Sequence, residues 1–510
     1  MIAILLGITV SVLCLYFLLK ELQRPAGYPP GPQWLPIVGN TPQIRRMTAQ
    51  NGGLLINVFN QLSDRYRSSV IGLKLGQERF VVGLAYEDVK EILSSDVFLG
   101  RPDNFFLRLR TMGTRLGVTC TDGTFWNEQR SFVTRYLRRA GYGQEAMHVQ
   151  IQAELAELLS VLGNRSGEPL WPSSILSISV INVLWTFVTG ERVPREDDRL
   201  VRLLNLLQER SKAFDMAGGT LNQLPWIRFL APDWSGYNLL RRFNVELNEF
   251  FATTITQHHR NFSEEKATDD LIYAYIKEMR DRRDDPESTS FSNLQLTMVI
   301  LDMFIAGGQT TSSTLDLAFM MMILRPDVQQ LVHEEIDTQL APEASPHYGD
   351  RTKVPYVEAV LLEVQRFFSI VSLDGPRRTL EDCTLGGYRI PKDTTVLMGL
   401  RNVHMDPGHW GDPEVFRPER FLDGQRNIVN TERLMPFGLG KRRCLGETLA
   451  RSCLFTFFVG VMRQFCLCRD PQAEGDEMAP SMVLKPGITL SPKPYHVVFQ
   501  PRSTAVDETY

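Results

Sequence analysis

Cysteine is too scarce in this sequence to staple a fold. Its seven cysteines (Cys14, Cys120, Cys383, Cys444, Cys453, Cys466 and Cys468) are an odd number scattered over 510 residues. That excludes a disulfide scaffold and points to a reducing, cytosol-facing compartment. Net charge is nearly missing too: −4 at pH 7 leaves no basic footprint for nucleic acid. Zinc has no ligand set, because no histidine falls between Gly411 and Cys468, and "HEEID" at His333 is not the metalloprotease HExxH. From about residue 41 to 500 there is no repeat and no low-complexity break, so one large domain is expected there.

What is present is ordinary globular material, 43% hydrophobic and 22% charged, ample for a large core. The first nineteen residues, "MIAILLGITVSVLCLYFLL", carry no charge, and Lys20 and Arg24 follow them. About 20 apolar residues span a bilayer, so residues 1–19 are expected to be a transmembrane anchor. A secretory signal fits less well, since the basic n-region and a small-x-small cleavage site are missing. By the positive-inside rule the body stays on the cytosolic side. Residues 20–40, with Pro25, Gly27, Pro29, Pro30, Gly31 and Pro32, read as a stiff, extended hinge. The polar end, 501–510, reads as a flexible tail.

In between, helical patterns dominate. "VIGLKLG" and "RFVVGL" predict an early hairpin, and "GYRIPKDTTVLMG" two further short strands. A helix is expected from Ser292, where Gln295 completes a capping box, to Leu324 before "RPD". At about 30 residues it would be about 45 Å long. Its centre reads "FIAGGQTTSS", and each glycine there weakens a helix by roughly 1 kcal/mol relative to alanine.

"PFGLGKRRCLGETLAR" places Cys444 in a glycine-rich loop at a helix start. Glycines allow close approach to a flat partner. The helix N-terminus and Lys441, Arg442 and Arg443 are expected to favour the thiolate. One thiolate without companion ligands suits an axial position of haem iron. Cys14, Cys383, Cys453, Cys466 and Cys468 read as structural.

Here the residues resemble a family. "FGLGKRRCLG" fits the FxxGxRxCxG pattern of the cytochrome P-450 superfamily at Phe437, Gly440, Arg442, Cys444 and Gly446. "EVQR" (Glu363, Arg366) and "PERF" (Arg420) resemble its buried Glu-Arg-Arg lock. "WNEQR" (Trp126, Arg130) resembles its propionate-contacting helix, and "PPGP" (Pro29–Pro32) its microsomal hinge. The resemblance implies a mainly α fold, a large helical domain with small β-sheets, and haem b between the long central helix and the cysteine loop. It implies that Arg101, Arg130, Arg377 and Arg442 meet the haem propionates beside Trp126, with Arg378 the alternative to Arg377. It further implies that "AGGQTT" is an oxygen groove, where Gly307 and Gly308 make room and Thr310 holds proton-delivering waters in a widened turn. Gln309 stands where an Asp or Glu is usual, and an amide cannot ionise.

The reaction class implied is insertion of one oxygen atom from O2. The sequence has no convincing flavin or nicotinamide fingerprint, so electrons are expected from a separate NADPH-dependent reductase. That partner would dock on Arg135, Arg138, Arg139, Lys441 and Arg443. The pocket candidates are Phe105, Phe106, Phe304, Ile305, Ala306, Ile370, Val371, Leu373 and Ile488, apolar enough for a lipophilic substrate entering from the endoplasmic reticulum membrane. "GRPDNFFLRLRTMGTRLGVTCTDG" and "FLAPDWSGYN" resemble insect microsomal members, and among them the juvenile hormone epoxidases. These carry out 10,11-epoxidation of farnesoic acid or methyl farnesoate. Arg108, Arg110 or Arg115 are the candidates to receive a carboxylate or ester. Oxidation of another lipid, steroid or xenobiotic, a haem-thiolate isomerase or dehydratase, and a non-catalytic haem carrier share the same residues.

Overall fold

A 32-residue helix, Asn293–Leu324, runs through the helical domain, and every residue from Thr311 to Ile323 is buried. In the computed structural model, which describes residues 2–141, 143–282, 289–473 and 478–502, the chain is 57% helical with several small sheets. The architecture is therefore mainly α, as expected. Ser292 caps the long helix, its hydroxyl accepting the Gln295 amide at 3.2 Å. The other half of the expected capping box does not form. Gln295 instead accepts from the Gly117 amide at 2.8 Å and donates to the Gly117 carbonyl at 3.3 Å. The Gly117 amide is buried and must be paired, whereas the cap amide is within reach of solvent; the Gly117 carbonyl is shared with the Thr121 hydroxyl at 2.7 Å.

The helix is unbroken through Gly307 and Gly308. A methyl at Gly307 would sit 2.6 Å from Leu184 Cδ2, on the neighbouring helix Pro172–Thr189, whereas one at Gly308 would meet Ile181 and Leu207 at 3.4 and 3.5 Å. Close helix–helix approach is thus what the first glycine permits, and the expected widened turn is not seen. Helix Pro172–Thr189 is long and apolar enough to cross a membrane, yet 78% of it is buried, so it is a core helix. The N-terminal helix, Ile2–Leu22, is the opposite case: Ile2, Ile4, Leu6, Val12, Leu15 and Leu19 are all exposed.

The hairpin forms as read, with Val70–Leu75 antiparallel to Glu78–Gly83. The second of the later strands, Thr395–Met398, joins it in parallel, and Arg377–Arg378 closes the four-stranded sheet. The first, Tyr388–Ile390, pairs elsewhere with Cys383–Leu385. The proline-rich segment is extended but not free: the Pro30 carbonyl accepts from Gly72 N–H at 2.8 Å, and Tyr28 donates to the Phe80 carbonyl at 2.8 Å. Residues 503–510 of the expected tail lie outside the described residues.

Two predictions follow from the long helix. Gly308→Ala should raise the melting temperature, since it gains helix propensity of about 1 kcal/mol at ordinary contact distances, whereas Gly307→Ala should not. Scanning calorimetry of both variants decides this. Asp316 is fully buried, its Oδ1 2.7 Å from the Tyr495 hydroxyl, and burial pushes its carboxyl up to about 7. The unfolded carboxyl titrates near 3.9, so this group's contribution is whole below about pH 4 and is lost as pH rises toward 7. Asp316→Asn should therefore stabilise more at pH 8 than at pH 5, by several degrees in melting temperature.

Candidate functional site

The loop before helix Glu447–Gln464 turns back on itself, with the Cys444 amide donating to the Phe437 carbonyl at 3.0 Å. Gly440 (φ +68°) presses it against a neighbouring helix: an added Cβ would lie 2.4 Å from the Leu93 carbonyl oxygen. Behind the loop stands the lock. Glu363 takes a bidentate pair from Arg366 at 2.7 and 2.8 Å and a third bond from Arg420 at 3.1 Å, all buried. Arg366 donates to the His404 carbonyl, and His404 Nε2 accepts from the Met435 amide at 3.0 Å. His404 Nδ1 lies 2.8 Å from the Ser369 hydroxyl. Burial, with Arg366 and Arg401 nearby, pushes the imidazole down to about 3, so it stays neutral and Nδ1 carries the proton. His404 thereby ties the lock to the strand of chain that leads into the cysteine loop.

Cys444 opens onto an internal cavity of about 470 Å3 that reaches across to the long helix. The basic triplet beside it does not serve the thiol as expected. Lys441 pairs with Asp96, Arg443 with Glu447, and Arg442 points to the Leu99 and Thr121 carbonyls. Burial dominates and raises the thiol, with the Gly446 amide and Arg130 pulling the other way. Metal ligation requires the thiolate, so Cys444 would bind iron with loss of its proton.

Around the same end of the cavity the cations outnumber their partners. Arg101 Nε, Arg377 Nε and Nη1, Arg442 Nη1 and Trp126 Nε1 are buried without a hydrogen-bond partner. Arg442 stacks on Trp126 at 3.8 Å, and Arg377 lies 3.6 Å from Asp374. Burial, then the other guanidinia, pushes Arg442 down to about 8 and Arg377 to about 10. Buried charge left unpaired is costly by several kcal/mol, so this end is built for an anion. Haem b fits this donor set: Cys444 would be available to its iron and the arginines to its two propionates. Arg101, Trp126, Arg130, Phe437, Arg442, Cys444 and Gly446 line the cavity. Gly440 serves the loop's packing, and Arg377 stands behind the lining. Arg378 is already neutralised by Asp122 and Asp393.

On the opposite wall Ala306, Gly307 and Thr310 face the cavity. The Thr310 hydroxyl donates to the Ala306 carbonyl at 2.9 Å, leaving its lone pairs toward the space. Gln309 does not reach it. One residue on is a turn of about 100°, and Gln309 lines a small separate pocket with Trp171, Gln208 and Lys212.

Of the apolar candidates, Phe106, Ile305, Ala306, Ile370, Val371 and Ile488 line the cavity. Phe304 instead packs edge-on with Trp185 and Phe251, Leu373 belongs to the core under the hairpin, and Phe105 lies under Arg228 at 4.6 Å. The three arginines expected to receive a polar group are spoken for: Arg108 by Asp103, Arg110 by Asp302, and Arg115 by Asp122. Asp302 also accepts from the Val118 and Thr119 amides at 2.7 and 2.8 Å, fastening that loop over the cavity. The cation that sequence reasoning missed is Arg210, which lines the cavity. Its signal was its register, since it continues the buried Leu203, Leu206, Leu207 stripe of helix Asp198–Ala213.

Replacing Glu363 by Gln leaves two buried guanidinia without their carboxylate, and unfolding stability should fall by about 3–5 kcal/mol. Chemical denaturation measures this, and an unchanged midpoint would show that the lock carries no net energy.

Comparison with known proteins agrees with this geometry. The Cytochrome P450 family description matches residues 29–499. "Probable cytochrome P450 305a1" of Drosophila melanogaster is 48% identical over 507 residues, covering 98% of each chain. "Farnesoate epoxidase" of Bombyx mori is 36% identical over 500 residues, 97% of this chain and 98% of that one. "Cytochrome P450 2L1" of Panulirus argus is 31% identical over 490 residues, 94% of this chain and 96% of that one. With a cysteine loop facing the long helix across a cavity rimmed by unpaired arginines, the chain belongs to the cytochrome P450 family and is a haem-thiolate monooxygenase of insect type that uses O2 and NADPH electrons delivered by a reductase.

Proposed function

We propose that this monooxygenase epoxidises the terminal double bond of a farnesoid chain, farnesoic acid or methyl farnesoate, in juvenile hormone biosynthesis. The observation that carries the reading is the nearly full-length similarity to the Bombyx mori farnesoate epoxidase. The cavity suits it: Val180, Leu184, Val299, Ile305 and Ile370 supply an apolar wall for a branched hydrocarbon.

Haem bound through Cys444 supplies oxygen activation, the thiolate pushing electron density toward O–O cleavage. One oxygen atom enters the alkene to close the epoxide. The other leaves as water with two protons and the two electrons of NADPH. Arg101, Arg130 and Arg442 would hold the propionates, with Arg377 adding positive charge from behind the lining. Gly307 and Ala306, small residues on the cavity wall opposite Cys444, would leave room there for the alkene. Thr310, whose hydroxyl proton is taken by Ala306, accepts a hydrogen bond from water at the cavity wall and so holds that water for proton delivery. Gln309 has no part in this, which removes the side chain next to Thr310 from the proton route.

The membrane assignment takes the exposed apolar helix Ile2–Leu22 as a single anchor in the endoplasmic reticulum, with the catalytic domain, residues 41–500, in the cytosol. Phe229, Leu230 and Trp234, each 73% exposed, offer a second apolar contact with the same surface. Of the five cations proposed to dock the reductase, Arg135 is 3.6 Å from Glu278, and Lys441 and Arg443 are paired. Arg138 and Arg139 are exposed at the end of helix Gly123–Arg139.

The test is reconstitution of the full-length protein in membranes with an NADPH reductase, farnesoic acid and methyl farnesoate being supplied separately. An NADPH-dependent 10,11-epoxide is expected, and Thr310→Ala should lower epoxide formed per NADPH consumed. Absence of product from both, with an intact thiolate-haem carbon monoxide spectrum, overturns the substrate reading.

A further inference from the structure

Arg210 is a cation without an answer in the protein. It is 3% exposed, and its Nε has no partner. Among the described residues no carboxylate forms an ion pair with it, and its one aromatic neighbour is the Phe243 ring, 5.7 Å away. The surrounding charges are already matched. Arg110 and Asp302 pair at 2.7 Å, and Asp215 takes Arg45 at 3.3 Å and the Ala217 amide at 2.9 Å. Burial pulls the Arg210 guanidinium down to about 9, which still leaves it cationic at neutral pH. A leucine there would extend the apolar stripe of its helix without leaving a buried charge unpaired.

The group is also held in place. The residue after it, Ser211, accepts from the Ile488 amide at 2.9 Å through its carbonyl, and from the Thr489 amide at 3.4 Å through its hydroxyl. Gly487 packs so close that a Cβ would come 2.7 Å from the Ser211 carbonyl oxygen. The last turn of helix Asp198–Ala213 is thus fixed against the 487–489 segment, and both line the cavity that Cys444 opens onto.

We propose that Arg210 receives the carboxylate of the substrate, so that the chain takes a long apolar acid rather than its ester, with the hydrocarbon laid along the apolar wall toward Cys444. The proposal rests on the farnesoid reading above and commits it to the acid. A guanidinium offers a carboxylate two parallel charge-assisted bonds, about twice as strong as neutral ones, whereas an ester presents no charge to pair with it. Burial in a cavity whose nearby carboxylates, Asp302 and Asp215, are already taken by Arg110 and Arg45 sharpens the difference.

The test separates binding from reaction. Purified full-length holoprotein is titrated by calorimetry with farnesoic acid and methyl farnesoate, and with a saturated straight-chain acid and its methyl ester, which have no alkene to epoxidise. Wild type should bind each acid at least about tenfold more tightly than its ester. Arg210→Gln should remove that preference by weakening the acid while ester affinity barely moves, and Arg210→Lys should keep part of it. An acid-to-ester ratio unchanged in Arg210→Gln overturns the proposal. Should that variant fail to fold, as its melting temperature shows, an unchanged ratio in Arg210→Leu, which extends the apolar stripe, does the same. A preference that depends on Arg210 with no epoxide from either farnesoid leaves the carboxylate site standing and removes the epoxidase reading. Epoxide formed with a ratio indifferent to Arg210 does the reverse.

Discussion

Buried positive charge around one cavity is the constraint to which the rest of this structure answers. Arg101, Arg377 and Arg442 keep donor atoms without partners at one end, and Arg210 does so at another part of the same space. The lock shows what the chain does when a cation is purely structural: Glu363 and backbone carbonyls take up both Arg366 and Arg420. The contrast separates charges completed by the protein from charges left with open donors toward the cavity. Guests that bind only the folded state stabilise it by mass action, so haem is part of the fold's energetics as well as of its chemistry.

The long helix divides the cavity from the core. Its buried half packs on all sides, while Asp302 and Gln295, seven residues apart on one face, fasten the loop at 117–119 above the cavity. The glycine pair serves this partition unequally. Gly307 sits at the cavity wall and lets Leu184 approach, and Gly308 faces the packing side toward Ile181 and Leu207. The weakness at the helix centre is therefore half an active-site feature and half a packing feature, and tertiary burial outweighs the lost propensity.

Much of the site lay open in the sequence because its chemistry is local. A cysteine in a glycine-rich loop, a tryptophan four residues before an arginine, and a Glu–Arg pair three residues apart are each set by helical or turn geometry over a few residues. Fold class followed for the same reason, from long helical periods and few strand runs. Less legible were the choices among neighbours: Arg377 rather than Arg378 left with donor atoms unpartnered, Gln309 turned away from the space that Thr310 faces, Phe304 in the core while Ile305 lines the cavity.

The sequence by itself determined the helix-rich fold, the cysteine loop and the identity of the lock, since each is encoded by residue type at short spacing. Only the tertiary structure decided which charges are paired. Arg108, Arg110 and Arg115 find carboxylates at Asp103, Asp302 and Asp122, one of them nearly 200 residues away, and Arg210 finds none. Pairing depends on which distant segments the packing brings within about 4 Å, and no local pattern carries that distance.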